Sequence, residues 1–126
     1  MFATFSLNIG RVVVDKIGGN AVRLMLANEL VARAIVMSND ESANLAGQLY
    51  DMLVNMDEDA CARVALESKR GMRSLAFDLK NPDTVNLRWD DPDMQVHRTL
   101  SSYDAFALAD ALYAAARVEY QPMCAA

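Results

Sequence analysis

The sequence predicts an α+β fold in which a β-β-β-β-α unit occurs twice, within one domain of pseudo-twofold symmetry. When the 126-residue chain is shifted by 63 residues, half its length, the halves align without a gap and share ten identities. That is roughly twice the number expected from composition alone. In addition, turn residues and helix-capping residues recur at matching positions. We therefore expect repeat one at 1–63 and repeat two at 64–126, with an antiparallel sheet that carries both helices on one side.

The first two strands of each repeat are defined by alternation and by the turns that follow. Phe2 to Ile9 alternates and predicts a first strand, whose counterpart is Cys61 to Gly71. The next strands are Arg11 to Ile17 and Ser74 to Lys80, and both are followed by turn residues at the same repeat position. These turns are Gly18-Gly19-Asn20 and Asn81-Pro82-Asp83.

The third and fourth strands form a predicted hairpin, which is clearest in repeat two. Between Thr84 and Leu100, two alternating runs flank Asp90-Asp91-Pro92-Asp93, a sequence typical of turns. By the repeat, Ala21 to Met37 is also a hairpin, and it turns at Asn28-Glu29. The alternation places Trp89 in the core.

Each repeat is predicted to end in a helix. Ser38 and Glu41 have the spacing of a capping box, and Ser101 stands at the equivalent position of repeat two. The second helix is rich in alanine and apolar on most sides, so we expect it to be sandwiched by other elements or by a second subunit. A flexible tail is expected from about residue 120.

The composition indicates a cytoplasmic protein without a cofactor. The N-terminus lacks a signal-peptide pattern and no apolar run is long enough to span a membrane. The two cysteines have no metal-ligating neighbours and are expected to be reduced. His97 is the only histidine, and no nucleophile–base arrangement is present, so we expect a non-enzymatic protein.

The acidic residues support a first functional hypothesis. The net charge is −5, and two acidic clusters fall in predicted turns. Such clusters can mimic phosphates toward a basic partner, so the chain is interpreted as a regulator or inhibitor of a macromolecule. Phage inhibitors of nucleic-acid-binding or host-defence complexes are the analogous type. The clusters are Asp57, Glu58 and Asp59, and Asp90, Asp91 and Asp93.

The open face of the sheet supports an alternative. Eleven of the twelve basic residues fall on predicted strands, and several share the face opposite the core. This face would bind single-stranded nucleic acid, although no aromatic residue is predicted there to stack on bases. A small-ligand site between the repeats is a weaker alternative, and both a monomer and a homodimer remain open. The open-face residues are Arg23, Lys80, Arg88, Gln95 and His97.

The repeated β-β-β-β-α order resembles the topology of the Whirly proteins and of Pur-alpha repeats. Within repeat two, Ser68-Lys69-Arg70, Phe77-Asp78-Leu79-Lys80 and Leu87-Arg88 are similar to short segments of a Pur-type repeat. The resemblance implies single-stranded nucleic acid lying along the sheet. The chain departs from it in being acidic, and we treat it as an analogy of topology.

Overall fold

The computed structural model describes residues 5–9, 12–26, 33–68, 71–92 and 95–117. Eight strands and two helices occupy these ranges. The first half contains β1 (Phe5–Ile9), β2 (Val12–Ile17), β3 (Ala21–Leu26), β4 (Arg33–Ser38) and α1 (Asn39–Asn55). The second half contains β5 (Cys61–Ser68), β6 (Gly71–Asn81), β7 (Thr84–Asp90), β8 (Gln95–Ser101) and α2 (Ser102–Arg117).

The α+β class is confirmed, and each half of the chain has four strands followed by a helix. Strand register also corresponds between the halves, since Val14 lies opposite Leu24 and, 63 residues later, Phe77 lies opposite Leu87. The described parts of the first hairpins differ in register, because Phe5 lies opposite Lys16 whereas Ser68, 63 residues later, lies opposite Gly71. The turn expected at Asn28-Glu29 and the tail expected from residue 120 lie outside the described residues.

The prediction of an antiparallel sheet with both helices on one side is corrected by the structure, which has two sheets. Sheet one has the order β1-β2-β3-β4 and sheet two the order β5-β6-β7-β8. Each described strand pairs only with strands that adjoin it in the chain, and the fourth strand of each half continues directly into a helix, so no described strand of one half pairs with a strand of the other. At one point the sheets approach each other, where the Arg73 guanidinium of β6 donates to the Ala34 carbonyl of β4 over 3.4 Å.

The two helices fill the space between the inner faces of the sheets. Both α1 and α2 contact strands of both sheets as well as each other, and the buried apolar side chains form one cluster. Ala46, Ala105 and Ala109 are fully buried, and such small side chains allow close helix packing. The buried Ser42 hydroxyl of α1 donates to the Leu112 carbonyl of α2 over 2.9 Å. Part of the α2 surface nevertheless stays exposed.

Local signals at the helix starts are confirmed. The Ser38 hydroxyl accepts from the Glu41 backbone N–H, and the Glu41 carboxylate accepts from the Ser38 N–H, which completes the predicted capping box. Trp89 is buried, as its alternation predicts. Neither of the described helices is long and apolar enough to cross a membrane.

Candidate nucleic-acid interface

The outer face of sheet two is polar, and we call it the sheet-two face. Side chains of Phe77, Leu87 and Trp89 point to the helices, so their neighbours along each strand point outward. The cross-strand pairs align these outward positions in rows. The face comprises Cys61, Arg63, Ala65, Glu67, Met72, Ser74, Ala76, Asp78, Thr84, Asn86, Arg88, Asp90, Gln95, His97, Thr99 and Ser101.

One row across the sheet-two face is basic. Arg63 of β5 lies opposite Ala76 of β6, Ala76 opposite Arg88 of β7, and Arg88 opposite His97 of β8. Because neighbouring strands are about 4.8 Å apart, the two arginines are separated by roughly 10 Å at their backbones. The residue between them is Ala76. Because its side chain is small, it leaves a depression in the middle of the row, with an arginine on each side.

A shallow pocket lies at this depression. It has a volume of about 260 Å³, and it is lined by residues of the basic row and of the rows on either side of it. Ala76 and Ser74 are buried small residues and form its floor. A second depression of about 260 Å³ lies beside His97. The first pocket is lined by Cys61, Arg63, Ser74, Ala76, Arg88 and Asp90, and the second by Asn86, His97, Arg98 and Thr99.

Arg63 is positioned by a side chain of α1. The Gln48 side-chain carbonyl accepts from the Arg63 backbone N–H over 2.9 Å, and the Gln48 amide donates to the Arg63 carbonyl over 3.3 Å. Gln48 thus pairs with the outer edge of β5 as a neighbouring strand would, which holds the strand and blocks this part of its edge. The amide of Gln48 also donates to Asn44 over 2.8 Å.

The sequence-based prediction of the open face omitted Arg63. The cause is the weaker alternation of β5, which obscured which of its side chains point outward. The signal that could have found Arg63 is the apolar series Ala62, Val64 and Leu66, which takes the inner positions and leaves Arg63 outside. Nothing in the sequence marks Ser74 or Ala76 as functional. They contribute to the pocket because their side chains are small.

Four of the five predicted open-face residues lie on sheet two. Arg88 and His97 are direct cross-strand neighbours, and Gln95 lies opposite Asp90 one row away. Lys80 is exposed near the end of β6, where the register with β7 is irregular.

Arg23, the fifth predicted residue, lies on sheet one and is not brought together with the others. Its Nη2 and Nε are 2.5 and 3.1 Å from Asp15 Oδ2, and Asp15 is buried. The residues 63 positions before Ala76, Arg88 and His97 are Val13, Met25 and Ala34, so the equivalent row on sheet one is apolar. The two outer faces therefore differ in chemistry.

The acidic clusters are placed at opposite ends of sheet two. Asp57 to Asp59 precede the start of β5, which pairs with the Asp78 end of β6. Asp90 and Asp91 lie at the other end of the sheet. Pro92, which follows them, packs closely against Gly71 at the start of β6, since a Cβ placed on Gly71 would stand 2.7 Å from the proline ring. Asp93 lies outside the described residues. The structure does not bring the clusters together.

Two of the acids have local structural roles. Asp57 accepts from the Asp59 backbone N–H over 3.0 Å, and Asp91 accepts from the Trp89 indole N–H over 2.9 Å. Glu58 is exposed in the same turn as Asp57. Phosphate mimicry by these clusters stays a prediction, which charge reversal at Asp59 and measurement of partner binding would test.

Comparisons with known proteins assign no family. No family model matches the chain, and no curated protein matches it. A solved structure described as "Structure of a guideRNA-binding protein complex bound to a gRNA" is similar, with 15% sequence identity and a TM-score of 0.48. The similarity covers 91% of this chain and 90% of that chain. A similarity at this level does not assign a function.

Proposed function

We propose that this protein binds single-stranded nucleic acid across the sheet-two face and has no catalytic role. The observation that carries the proposal is the basic row Arg63-Ala76-Arg88-His97 beside the shallow pocket. Guanidinium groups recognise phosphates through bidentate hydrogen bonds and also stack on bases. The two guanidinium groups and His97, spread over three strands of one row, would contact successive units of a polymer.

The size of the pocket favours part of a polymer over a whole small molecule. Pockets for drug-sized ligands usually measure about 300–1,000 Å³ and enclose most of the ligand. The pocket beside the basic row is smaller, at about 260 Å³, and it is open to solvent. It suits one base or one phosphate of a strand that continues over His97 toward the second depression.

The composition of the face sets the expected strength of binding. Within the described residues the sheet-two face has no Phe, Tyr or Trp side chain, so only the imidazole of His97 offers an aromatic ring for stacking there. Glu67, Asp78 and Asp90 also share the face, so its three carboxylates outnumber the guanidinium groups of Arg63 and Arg88, and the positive charge is confined to the basic row. Binding would therefore be weak and strongly dependent on salt.

The twofold relation between the repeats belongs to the same proposal. From the second strand onward, the registers of the two sheets coincide after a shift of 63 residues, except at the end of the β6–β7 ladder, where Thr84 lies opposite Asn81. If the two repeats share one fold, each provides a sheet with an outer face, but the row equivalent to the basic row is apolar on sheet one. Each chain would then have a single nucleic-acid surface, on sheet two.

The test is fluorescence anisotropy with labelled single-stranded DNA and RNA at several salt concentrations. Arg63→Glu and Arg88→Glu should each weaken binding, and each loss of a phosphate contact should lower the slope of log K against log salt by about 0.7. Arg117→Glu makes the same charge change on α2 and is the matched control, which should bind like the wild type. The absence of any anisotropy change with micromolar protein at low salt would exclude the proposal.

A further inference from the structure

The outward side of α2 exposes aromatic side chains in a helical stripe. Tyr103 is 83% exposed, Phe106 37% and Tyr113 43%, although the opposite side of the same helix is buried. Large exposed apolar groups that form a contiguous patch commonly mark interaction surfaces. The α2 stripe consists of Tyr103, Phe106, Asp110, Tyr113, Ala114 and Arg117, whose spacings of three, four and seven residues place them on one side.

The two charged residues of the α2 stripe are held in place by aromatic neighbours. Asp110 Oδ1 accepts a hydrogen bond from the Tyr50 hydroxyl of α1. The Arg117 guanidinium carbon lies 5.4 Å from the centre of the Tyr113 ring, within the range of a cation–π interaction. An acid and a base are therefore presented on the same side of one helix, seven residues apart, before any partner binds.

We propose that the part of the α2 stripe from Asp110 to Arg117 binds the same part of the stripe in a second copy of this chain. The argument is charge complementarity under twofold symmetry. If two such helices cross antiparallel about an axis between Tyr113 and Ala114, Asp110 of each copy faces Arg117 of the other. The same axis places the Tyr113 ring of each copy against the small Ala114 of the other. Asp110 and Arg117 therefore form two identical ion pairs across the interface, so one copy of the helix is complementary to another copy of itself.

The interface is small, which sets the expected affinity. A helix of 16 residues is about 24 Å long, so one stripe covers well under the roughly 800 Å² per partner of a standard interface. Association is therefore expected at micromolar concentrations or above. Because α2 and the sheet-two face are separate surfaces, the dimer does not depend on nucleic-acid binding.

The experiment is sedimentation velocity at low salt over a range of about 5 to 500 μM protein. The wild type should shift from the monomer mass of 13.9 kDa toward twice that value as the concentration rises. Asp110→Lys and Arg117→Asp should each stay monomeric over the range, because each places like charges opposite one another. Glu67→Lys makes the same charge change on sheet two and should dimerise like the wild type.

Mixing the two variants gives the decisive measurement. The Asp110→Lys copy then presents two basic groups on its stripe, and the Arg117→Asp copy presents two acidic groups. An equimolar mixture should therefore form a heterodimer although neither variant dimerises alone. A wild-type protein that is monomeric throughout the concentration range would overturn the proposal. So would dimers that persist in either single variant, or a mixture that does not associate. Circular dichroism of each variant confirms that it is folded.

Discussion

The packing of the helices between two separate sheets makes Ala105 a sensitive position. Ala105 is fully buried in α2, and its equivalent in α1 is the buried Ser42, which bonds to the Leu112 carbonyl. Ala105→Leu adds three carbons where close packing leaves no space. Such overpacking costs typically 1–3 kcal/mol. Ala114→Leu is the matched control, because Ala114 lies on the same helix with its side chain exposed.

The expected change in melting temperature follows from the chain length. An unfolding entropy of about 2.1 cal/mol/K per residue gives about 265 cal/mol/K for 126 residues, so 1 kcal/mol corresponds to about 4 °C. Ala105→Leu should therefore lower the melting temperature by about 4–11 °C, whereas an exposed substitution should change it by less than about 2 °C.

Differential scanning calorimetry at low protein concentration measures both variants in the absence of the dimer. If Ala105→Leu melts within about 2 °C of the wild type, Ala105 is not tightly packed and the arrangement of helices between the sheets is wrong. An equal fall in melting temperature for Ala105→Leu and Ala114→Leu would also contradict the reasoning. It would show that the burial of the alanine does not determine how much stability the leucine removes.

Two further predictions concern pH. Burial and the hydrogen bond to Asp110 raise the pKa of Tyr50 from 10.0 to about 12, so this contribution to stability is complete below pH 10.0 and is lost as the pH rises toward about 12. The difference in unfolding free energy between the wild type and Tyr50→Phe should shrink over that interval in urea titrations, and a constant difference would refute the assignment. Burial lowers the pKa of Lys16 below 10.5, so the unfolded chain binds this proton more tightly than the folded chain does. The free energy of unfolding of the wild type should therefore rise, relative to that of Lys16→Met, as the pH increases toward 10.5. Parallel pH profiles of these two proteins would show that Lys16 is not perturbed.

The elements that the sequence predicts well are those determined by neighbouring residues. The capping box of Ser38 and Glu41 needs only a spacing of three, and the β7–β8 hairpin follows from alternating runs around a proline-containing turn. The inward side of Trp89 follows from its alternation with Asn86 and Arg88. No distant contact is needed for any of these.

The features that the sequence did not predict depend on distant contacts. Lys16 takes an inner position of β2 and is fully buried because Asn39, 23 residues later, accepts a hydrogen bond from its ammonium group. Arg63 becomes part of the site because Gln48 of α1 holds the edge of β5. Two sheets in place of one likewise result from how the whole chain packs, since the strand pattern within each repeat is the same in both arrangements.

The two outer faces show why sheet two is the better candidate for ligand binding. Asp15 and Asp78 are identical positions of the two repeats, but Arg23 lies directly opposite Asp15 and is paired with it. Asn86 takes the equivalent position opposite Asp78, and the arginine of sheet two lies in the next row, opposite Ala76.

The arginines of the two faces differ in how far their charge is available to a ligand. Arg88 Nε is 4.0 Å from Asp90 Oδ2, at the limit of an ion pair, and both side chains are partly exposed, so this pair contributes little. On sheet one the guanidinium is 2.5 Å from a buried carboxylate and is neutralised by it. A ligand phosphate would therefore have to compete with a buried carboxylate for Arg23 on sheet one, whereas on sheet two it has only to displace solvent and a weak contact. The position of one arginine relative to one aspartate thus directs the proposed function to sheet two.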